Sequence, residues 1–291
     1  MITGIQKAII PVAGLGTRML PATKAIPKEL LPIYDRPLIQ HVVEEAIEAG
    51  ITEIIFITRS GKEAIENHFD ANYELEHRLE ISRKKKILKT IKNVLPKNIK
   101  ISSIRQDNAL GLGHAILCAR HLIKDDYFAV LLPDEIIEDR KPFQAMVSQW
   151  KETRKGQILV EKVTKSQVSN YGVVDIKQKR ISSKNSVPIY RLVEKPSQRD
   201  APSNLRIVGR YILPSSIFSI LNKAKAGEDG EIQLTDSLQK EIDHIPGALH
   251  ATICSSSIFD CGSLKGFLGA NISLAKQDIA MKKYMKEVLS S

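Results

Sequence analysis

The first half of the chain repeats one pattern: a short apolar run, a polar turn, then an amphipathic stretch. Residues 7–12, 53–58, 99–105 and 127–132 read as buried strands, while 38–49, 61–69 and 114–123 read as helices. The helix over 38–49 has Pro37 at its first turn and Gly50 closing it, the usual asymmetry of proline at the start and glycine past the end. Strands alternating with helices predict an α/β fold of Rossmann-like type, a mainly parallel central mixed sheet with helices on both faces. Beyond about residue 155 the runs 157–163, 172–176, 189–193 and 207–213 are strand-like with short turns between them, and extend the sheet. Residues 263–289 read as an amphipathic C-terminal helical element, suited to docking or dimerisation. No repeat or Pro/Gly-rich linker divides the 291 residues, so a single domain over 1–291 is expected.

A formal net charge of +10 raises the question of nucleic acid or anionic surfaces. The excess is concentrated between Arg83 and Lys100, where Leu88, Ile91, Val94 and Leu95 interrupt the lysines and no aromatic residue is available to stack on bases. The spacing predicts a solvated amphipathic helix, so no nucleic-acid partner is expected. No apolar run approaches the ~20 residues needed to cross a bilayer, so no membrane partner is expected. The N-terminus has no small-residue cleavage site, and no signal peptide is expected. Cys118, Cys254 and Cys261 have neither metal-ligand nor redox-motif spacing; a reducing, cytoplasmic location fits best.

Chemistry is concentrated first in Ala13-Gly14-Leu15-Gly16-Thr17-Arg18, directly after the first strand. Glycines there let the backbone turn tightly and bring N–H groups to an anion. A dinucleotide fingerprint would need a third glycine where Met19 stands, and the kinase-type P-loop would need Gly-Lys-Ser/Thr. By itself the loop is a turn or a phosphate site. Arg18, Lys24 and Lys28 follow within a stretch stiffened by Pro21 and Pro27, which favours a preorganised polyphosphate site over a solvated basic loop. Asp134 stands where an apolar strand breaks at Pro133. It is either a turn or helix-capping aspartate or a ligand-site carboxylate at the carboxyl end of a sheet strand. Glu194-Lys195 is either a surface ion pair or a binding pair.

Taken in order, Gly14-Leu15-Gly16-Thr17-Arg18, Pro27-Lys28-Glu29-Leu30-Leu31-Pro32, Gly111-Leu112-Gly113-His114, Leu132-Pro133-Asp134, Val193-Glu194-Lys195-Pro196 and Phe259-Asp260-Cys261-Gly262 resemble the signature of bacterial sugar-nucleotide pyrophosphorylases. The resemblance runs along almost the whole chain and is closest to the UTP–glucose-1-phosphate uridylyltransferase branch. It implies a glycosyltransferase-A-like nucleotidyltransferase fold. A nucleotide-binding half would occupy about 1–155 and a sugar-binding half about 156–262, followed by C-terminal helices over about 263–291. It further implies Mg2+-dependent transfer of UMP from UTP to α-D-glucose 1-phosphate, in a homo-oligomer (dimer or tetramer). Arg18, Lys28, Asp134 and Lys195 would carry the chemistry. Ala13, Gly14, Gly16, Thr17, Arg18, Lys28, Glu29, Gln106 and Gly111 would hold the nucleotide, Gly172, Glu194 and Lys195 the sugar phosphate, and Asp134 with Asp260 the metal. Gln106 offers both a donor and an acceptor to the edge of uracil. Alternatives within the class are a thymidylyltransferase or another NTP:sugar-1-phosphate nucleotidylyltransferase; outside it, a non-catalytic nucleotide-sugar-binding regulatory subunit. The chain departs from the family pattern at Leu110, at Gly230, and at Lys265, which stands one position later than the usual lysine.

Overall fold

The computed structural model describes residues 4–178, 185–227 and 229–289. Met1–Thr3, on which the expectation of no signal peptide partly rests, lie outside the described residues. A ten-stranded sheet organises the chain. From one edge its main path runs Val187–Pro188, Leu249–Ile253, Gly156–Lys162, Leu205–Pro214, Tyr127–Leu131, Lys7–Pro11, Glu53–Thr58 and Lys100–Arg105. Gly172–Asp175 and Arg191–Glu194 pair with each other beside Leu205–Pro214.

The four strands read first from the sequence pair in parallel, Lys7–Pro11 lying between Glu53–Thr58 and Tyr127–Leu131. The long strand Leu205–Pro214 then reverses direction and joins Tyr127–Leu131 to Gly156–Lys162, antiparallel to both. Among the described residues of the second half, only Leu249–Ile253 has a parallel neighbour, Gly156–Lys162. The sheet is therefore mixed, and parallel pairing is concentrated in the first half.

Alternation along the strands separates the core into two layers. Ala8, Ile10, Phe56, Ala129 and Leu131 face one cluster, packed by the helices Leu38–Glu48 and Lys141–Thr153 through Val42, Ala46, Met146 and Trp150. Ile9, Ile55, Ile57, Phe128 and Val130 face the other. There the helices Gly111–Cys118, Ile217–Lys223 and Leu234–His244 contribute Ile116, Leu221 and Leu238. Helices thus cover both faces, as the alternation predicted. The helix expected over 114–123 begins three residues earlier, at Gly111, because Gly111 adopts φ +83° and turns the chain directly into it.

The basic run forms the helix Lys85–Lys92, with no fully buried residue. Leu88 and Ile91 are its half-buried positions, and Val94 and Leu95 beyond it pack against the core. The tail is two helices, Leu264–Ala275 and Ile279–Leu289. Among the described residues no helix is long and apolar enough to cross a membrane.

Candidate functional site

Lys7–Pro11 is the point where strand order switches, since the chain adds Glu53–Thr58 on one side and Tyr127–Leu131 on the other. Open α/β sheets leave a crevice at the carboxyl ends of strands at such a point. Here the loops leaving Lys7–Pro11 and Tyr127–Leu131 bring the glycine turn beside Asp134. Two cavities, of about 370 Å3 and about 220 Å3, open over this crevice, and Leu112, Leu132 and Asp134 line both of them.

The larger cavity is walled by Ala13, Gly14, Lys28, Glu29, Gln106 and Gly111. Gly16, at φ +70°, turns the loop, and Thr23 Oγ1 ties it down by donating to the Gly16 carbonyl at 2.7 Å. Thr17 begins the short Thr17–Met19 turn and is exposed. A Cβ on Gly14 would lie 3.9 Å from Lys28 Cε, so the glycine turn runs alongside the lysine. Gln106 follows the strand Lys100–Arg105. Its Nε2 donates to the Gly111 carbonyl at 3.2 Å and faces His114 Nδ1 at 3.1 Å. The amide nitrogen therefore fixes the start of the helix Gly111–Cys118, and Oε1 is the group left to meet a ligand. Glu29 is fully buried and accepts from Lys62 Nζ at 2.6 Å through Oε2, while Oε1 has no protein partner. Burial pushes the Glu29 carboxyl above its ordinary range despite Lys62.

Asp134 sits in the turn between Tyr127–Leu131 and Glu135–Ile137, so it caps no helix. Lys28 Nζ donates to its Oδ2 at 2.8 Å, and an Arg18 Nη lies 3.7 Å from the same oxygen. Burial works to raise the Asp134 pKa, but Lys28 outweighs it, and the carboxyl is held below its usual value. Lys28 is correspondingly raised, its own burial overcome by Asp134. Asp260 enters because Ile258–Asp260 pairs antiparallel with Glu135–Ile137, and the Cys261 N–H donates to the Asp134 carbonyl at 2.7 Å. Arg18 Nη1 donates to Asp260 Oδ2 at 3.0 Å. One guanidinium thus faces both expected metal carboxylates. A Cβ on Gly262 would collide with that guanidinium.

The smaller cavity is lined by Gly172, Glu194 and Asp260 together with Tyr171, Gln233 and Thr235. Thr235 Oγ1 donates to Glu194 Oε2 at 2.7 Å, aiming the carboxylate across the pocket floor. Of the expected site residues, Gly16, Thr17 and Lys195 line neither cavity. Lys195 is the one of the three carried by the second half of the sheet. It takes φ +42°, is largely exposed, and its Nζ lies 3.8 Å from Glu194 Oε1 at the rim. Lys24 and Lys265 are exposed and line neither cavity. Cys261 is buried and desolvation pushes its thiol up to about 12, consistent with a packing role.

Several wall residues escaped sequence reasoning. Arg59 lines the larger cavity from the end of Glu53–Thr58; its position at the carboxyl end of a parallel strand was the available signal. Thr235 and Tyr171 carry no local mark of a site, since their partners come from distant chain.

Residues 7–277 match the family model described as nucleotidyl transferase. The chain belongs to the nucleotidyl transferase family. This nucleotidyl transferase is 44% identical over 293 residues to the UTP–glucose-1-phosphate uridylyltransferase of Haemophilus influenzae, covering 98% of each chain. It is 46% identical over 281 residues to a protein of the same name from Escherichia coli, covering 92% of this chain and 89% of that one. Among solved structures it resembles a UTP-bound UGPase from Acinetobacter baumannii at 41% identity and a TM-score of 0.91, over 99% of both chains. The nucleotidyl transferase fold expected from the motifs is thus the fold observed.

Proposed function

We infer that this nucleotidyl transferase is a UTP–glucose-1-phosphate uridylyltransferase. It transfers UMP from UTP to α-D-glucose 1-phosphate and releases pyrophosphate. The observation that carries the reading is the meeting of the two cavities at Asp134. A nucleoside triphosphate in the larger one and a sugar phosphate in the smaller one would bring the α-phosphorus and the attacking oxygen to the same carboxylate. Near-full-length relatives bearing that name support the choice of substrates.

In the larger cavity Gln106 Oε1 would accept from the uracil imide, with backbone at Ala13, Gly14 and Gly111 completing the pocket. Gly16, Thr17, Arg18 and Lys28 would hold the phosphates, with Glu29 beneath them. In the smaller, Gly172 leaves room for the sugar and Glu194 would accept from its hydroxyls. Lys195 would swing in from the rim to the sugar phosphate, a motion its exposed position permits. A sugar-phosphate oxygen bonds to the α-phosphorus while the bond to the β-phosphate oxygen breaks, so pyrophosphate departs on the opposite side. The nucleophile is already anionic near neutrality and no proton need be removed. Catalysis is then positioning and charge neutralisation.

Mg2+ fits the donor set. Asp134 and Asp260 supply hard oxygens toward one guanidinium, and Mg2+ takes one or two carboxylates with the remainder from phosphates and water. When bound, it would neutralise charge on the α-phosphate and the incoming phosphate. Arg18 and Lys28, which face these carboxylates in the free chain, would then be released toward the phosphates.

The halves at about 1–155 and 156–262 form one domain in this reading. A homo-oligomer, dimer or tetramer, and a cytoplasmic location belong to it as well. Exposed Leu264, Leu268, Ile279 and Tyr284 on the tail helices offer apolar surface for association.

Pyrophosphate release should be measured across UTP, dTTP, CTP, ATP and GTP, each crossed with a panel of sugar 1-phosphates. Release with UTP and glucose 1-phosphate well above every other pair is expected; preference for dTTP would shift the reading to a thymidylyltransferase. A Cβ on Gly172 would meet Ile207 Cδ1 at 3.0 Å, and Glu194 Oε2 and Thr235 Oγ1 at 3.1 Å. Gly172→Val should therefore raise the KM for glucose 1-phosphate about 10-fold or more, with the KM for UTP little changed, because loss of a few contacts in a pocket costs on that order. An unchanged sugar KM in initial-rate assays would remove Gly172 from the sugar pocket.

A further inference from the structure

Arg210 is fully buried on the strand Leu205–Pro214, and Glu45, nearly as buried, comes from the helix Leu38–Glu48. They form a two-pronged pair, Nε to Oε1 at 2.9 Å and Nη2 to Oε2 at 2.7 Å. Such a pair is an inefficient way to stabilise a core, since desolvation offsets most of the attraction. The guanidinium has further hydrogens, and they go to one place. Nη1 donates to the Leu132 carbonyl at 2.8 Å, and Nη2 donates to the Glu135 carbonyl at 2.8 Å. Those two carbonyls bracket Pro133-Asp134. Gly209, the preceding residue, closes the same corner: the Leu132 N–H donates to its carbonyl at 2.7 Å, and its own N–H donates to the Glu135 carboxylate.

We propose that the Glu45–Arg210 pair is a positioning device for Asp134, with Glu45 orienting a guanidinium that clamps the corner carrying the carboxylate from both ends. This rests on the reading of Asp134 as the carboxylate that places the metal and the phosphates. Glu45 fixes the plane of the guanidinium, and the planar fork can then serve two carbonyls at once. An ammonium is a point donor on a flexible stem and cannot reproduce that geometry. Arg210 touches no substrate in this arrangement; it acts through Asp134.

The test is Arg210→Lys in the full chain, beside the wild type and Asp134→Asn. Hydrogen exchange is read at the amides of residues 132 and 134–136 and at the Cys261 amide, which donates to the Asp134 carbonyl. The Mg2+ concentration for half-maximal rate and the KM for each substrate are read in parallel. We expect folded Arg210→Lys to exchange at least about 10-fold faster at the corner, with the strand Gly156–Lys162 unchanged, and to need at least about 10-fold more Mg2+. The KM for glucose 1-phosphate should move little. Wild-type corner exchange or wild-type Mg2+ dependence in folded Arg210→Lys, while Asp134→Asn loses that dependence, overturns the proposal and leaves the site reading intact. Asp134→Asn with unaltered Mg2+ dependence instead overturns the site reading, and the positioning claim with it. If Arg210→Lys does not fold, Glu45→Gln, which keeps the side-chain shape and one acceptor, is read in the same way. Failure of both chains to fold would assign the pair to the core as a whole and overturn the positioning claim.

Discussion

Asp134→Asn should lower turnover by about 10²–10³, the usual scale when a preorganised charge-stabilising group is lost at a reacting centre. It should also flatten the response to Mg2+. The substitution is nearly isosteric and keeps an acceptor for Lys28, so the corner between Tyr127–Leu131 and Glu135–Ile137 should survive. What disappears is the negative charge that Lys28 holds ionised in the free chain. A Mg2+ titration of initial rate, with UTP saturating, reads both effects. A variant whose Mg2+ response matches the wild type would refute the ligand role of Asp134, whatever its absolute rate.

Lys28→Ala is the second large effect. Lys28 is only 15% exposed at the side chain and lies 2.8 Å from Asp134, whereas Arg18 is 60% exposed. A cation sheltered from water acts through a lower effective dielectric and is worth more per charge. Lys28→Ala should therefore cost about 10²–10³ in turnover, and Arg18→Ala distinctly less. Single-turnover formation of nucleotide sugar separates this from slow product release. A Lys28→Ala chain with near wild-type turnover would take Lys28 off the catalytic list. The reverse ranking, Arg18 costing more, would place the reacting phosphates on the solvent side of the cleft, nearer Asp260.

Local sequence marked where the candidate site's pieces stand, and the family resemblance, not local pattern, gave them roles. Gly14 and Gly16 mark a tight turn, Lys28 follows within one loop, and Asp134 ends an apolar strand beside a proline. These marks are visible from neighbours a few residues away, but each also fits an ordinary turn. The strand-and-helix alternation of the first half was legible from local pattern. The helices Lys141–Thr153 and Leu234–His244 were not read, although both bury an apolar face. In the second half of the sheet the strand Leu249–Ile253 has no counterpart in the sequence reading, and the other strands carry no direction there, since nothing local distinguishes an antiparallel neighbour from a parallel one.

What escaped is long-range. Arg210 and Glu45 are 165 residues apart, and either alone would be placed on the surface by composition. The same holds for Thr235 against Glu194, and for the register that sets Asp260 opposite Glu135. For Gln106 the sequence supplied the residue but not its orientation. A glutamine offers both ends of its amide to a base, and the contacts with Gly111 and His114 leave the oxygen. The Lys195 rim position was equally invisible, because sequence fixes a side chain's identity and not its rotamer.

The reversal at Leu205–Pro214 has a consequence for how the chain is made. Synthesis runs from the N-terminus, and domains generally fold as units when their parts become available. When the first 155 or so residues have emerged, the strand Tyr127–Leu131 has one neighbour, Lys7–Pro11, and an open edge on the other side. The Asp134 corner at its tip still lacks the guanidinium that grips it. Both deficits end together, with the arrival of one strand from 74 residues further along the chain, the separation of Glu135 from its Gly209 donor. A nascent chain stalled before that strand would expose an aggregation-prone edge and an unformed centre at once, so a release or truncation there yields no half-enzyme.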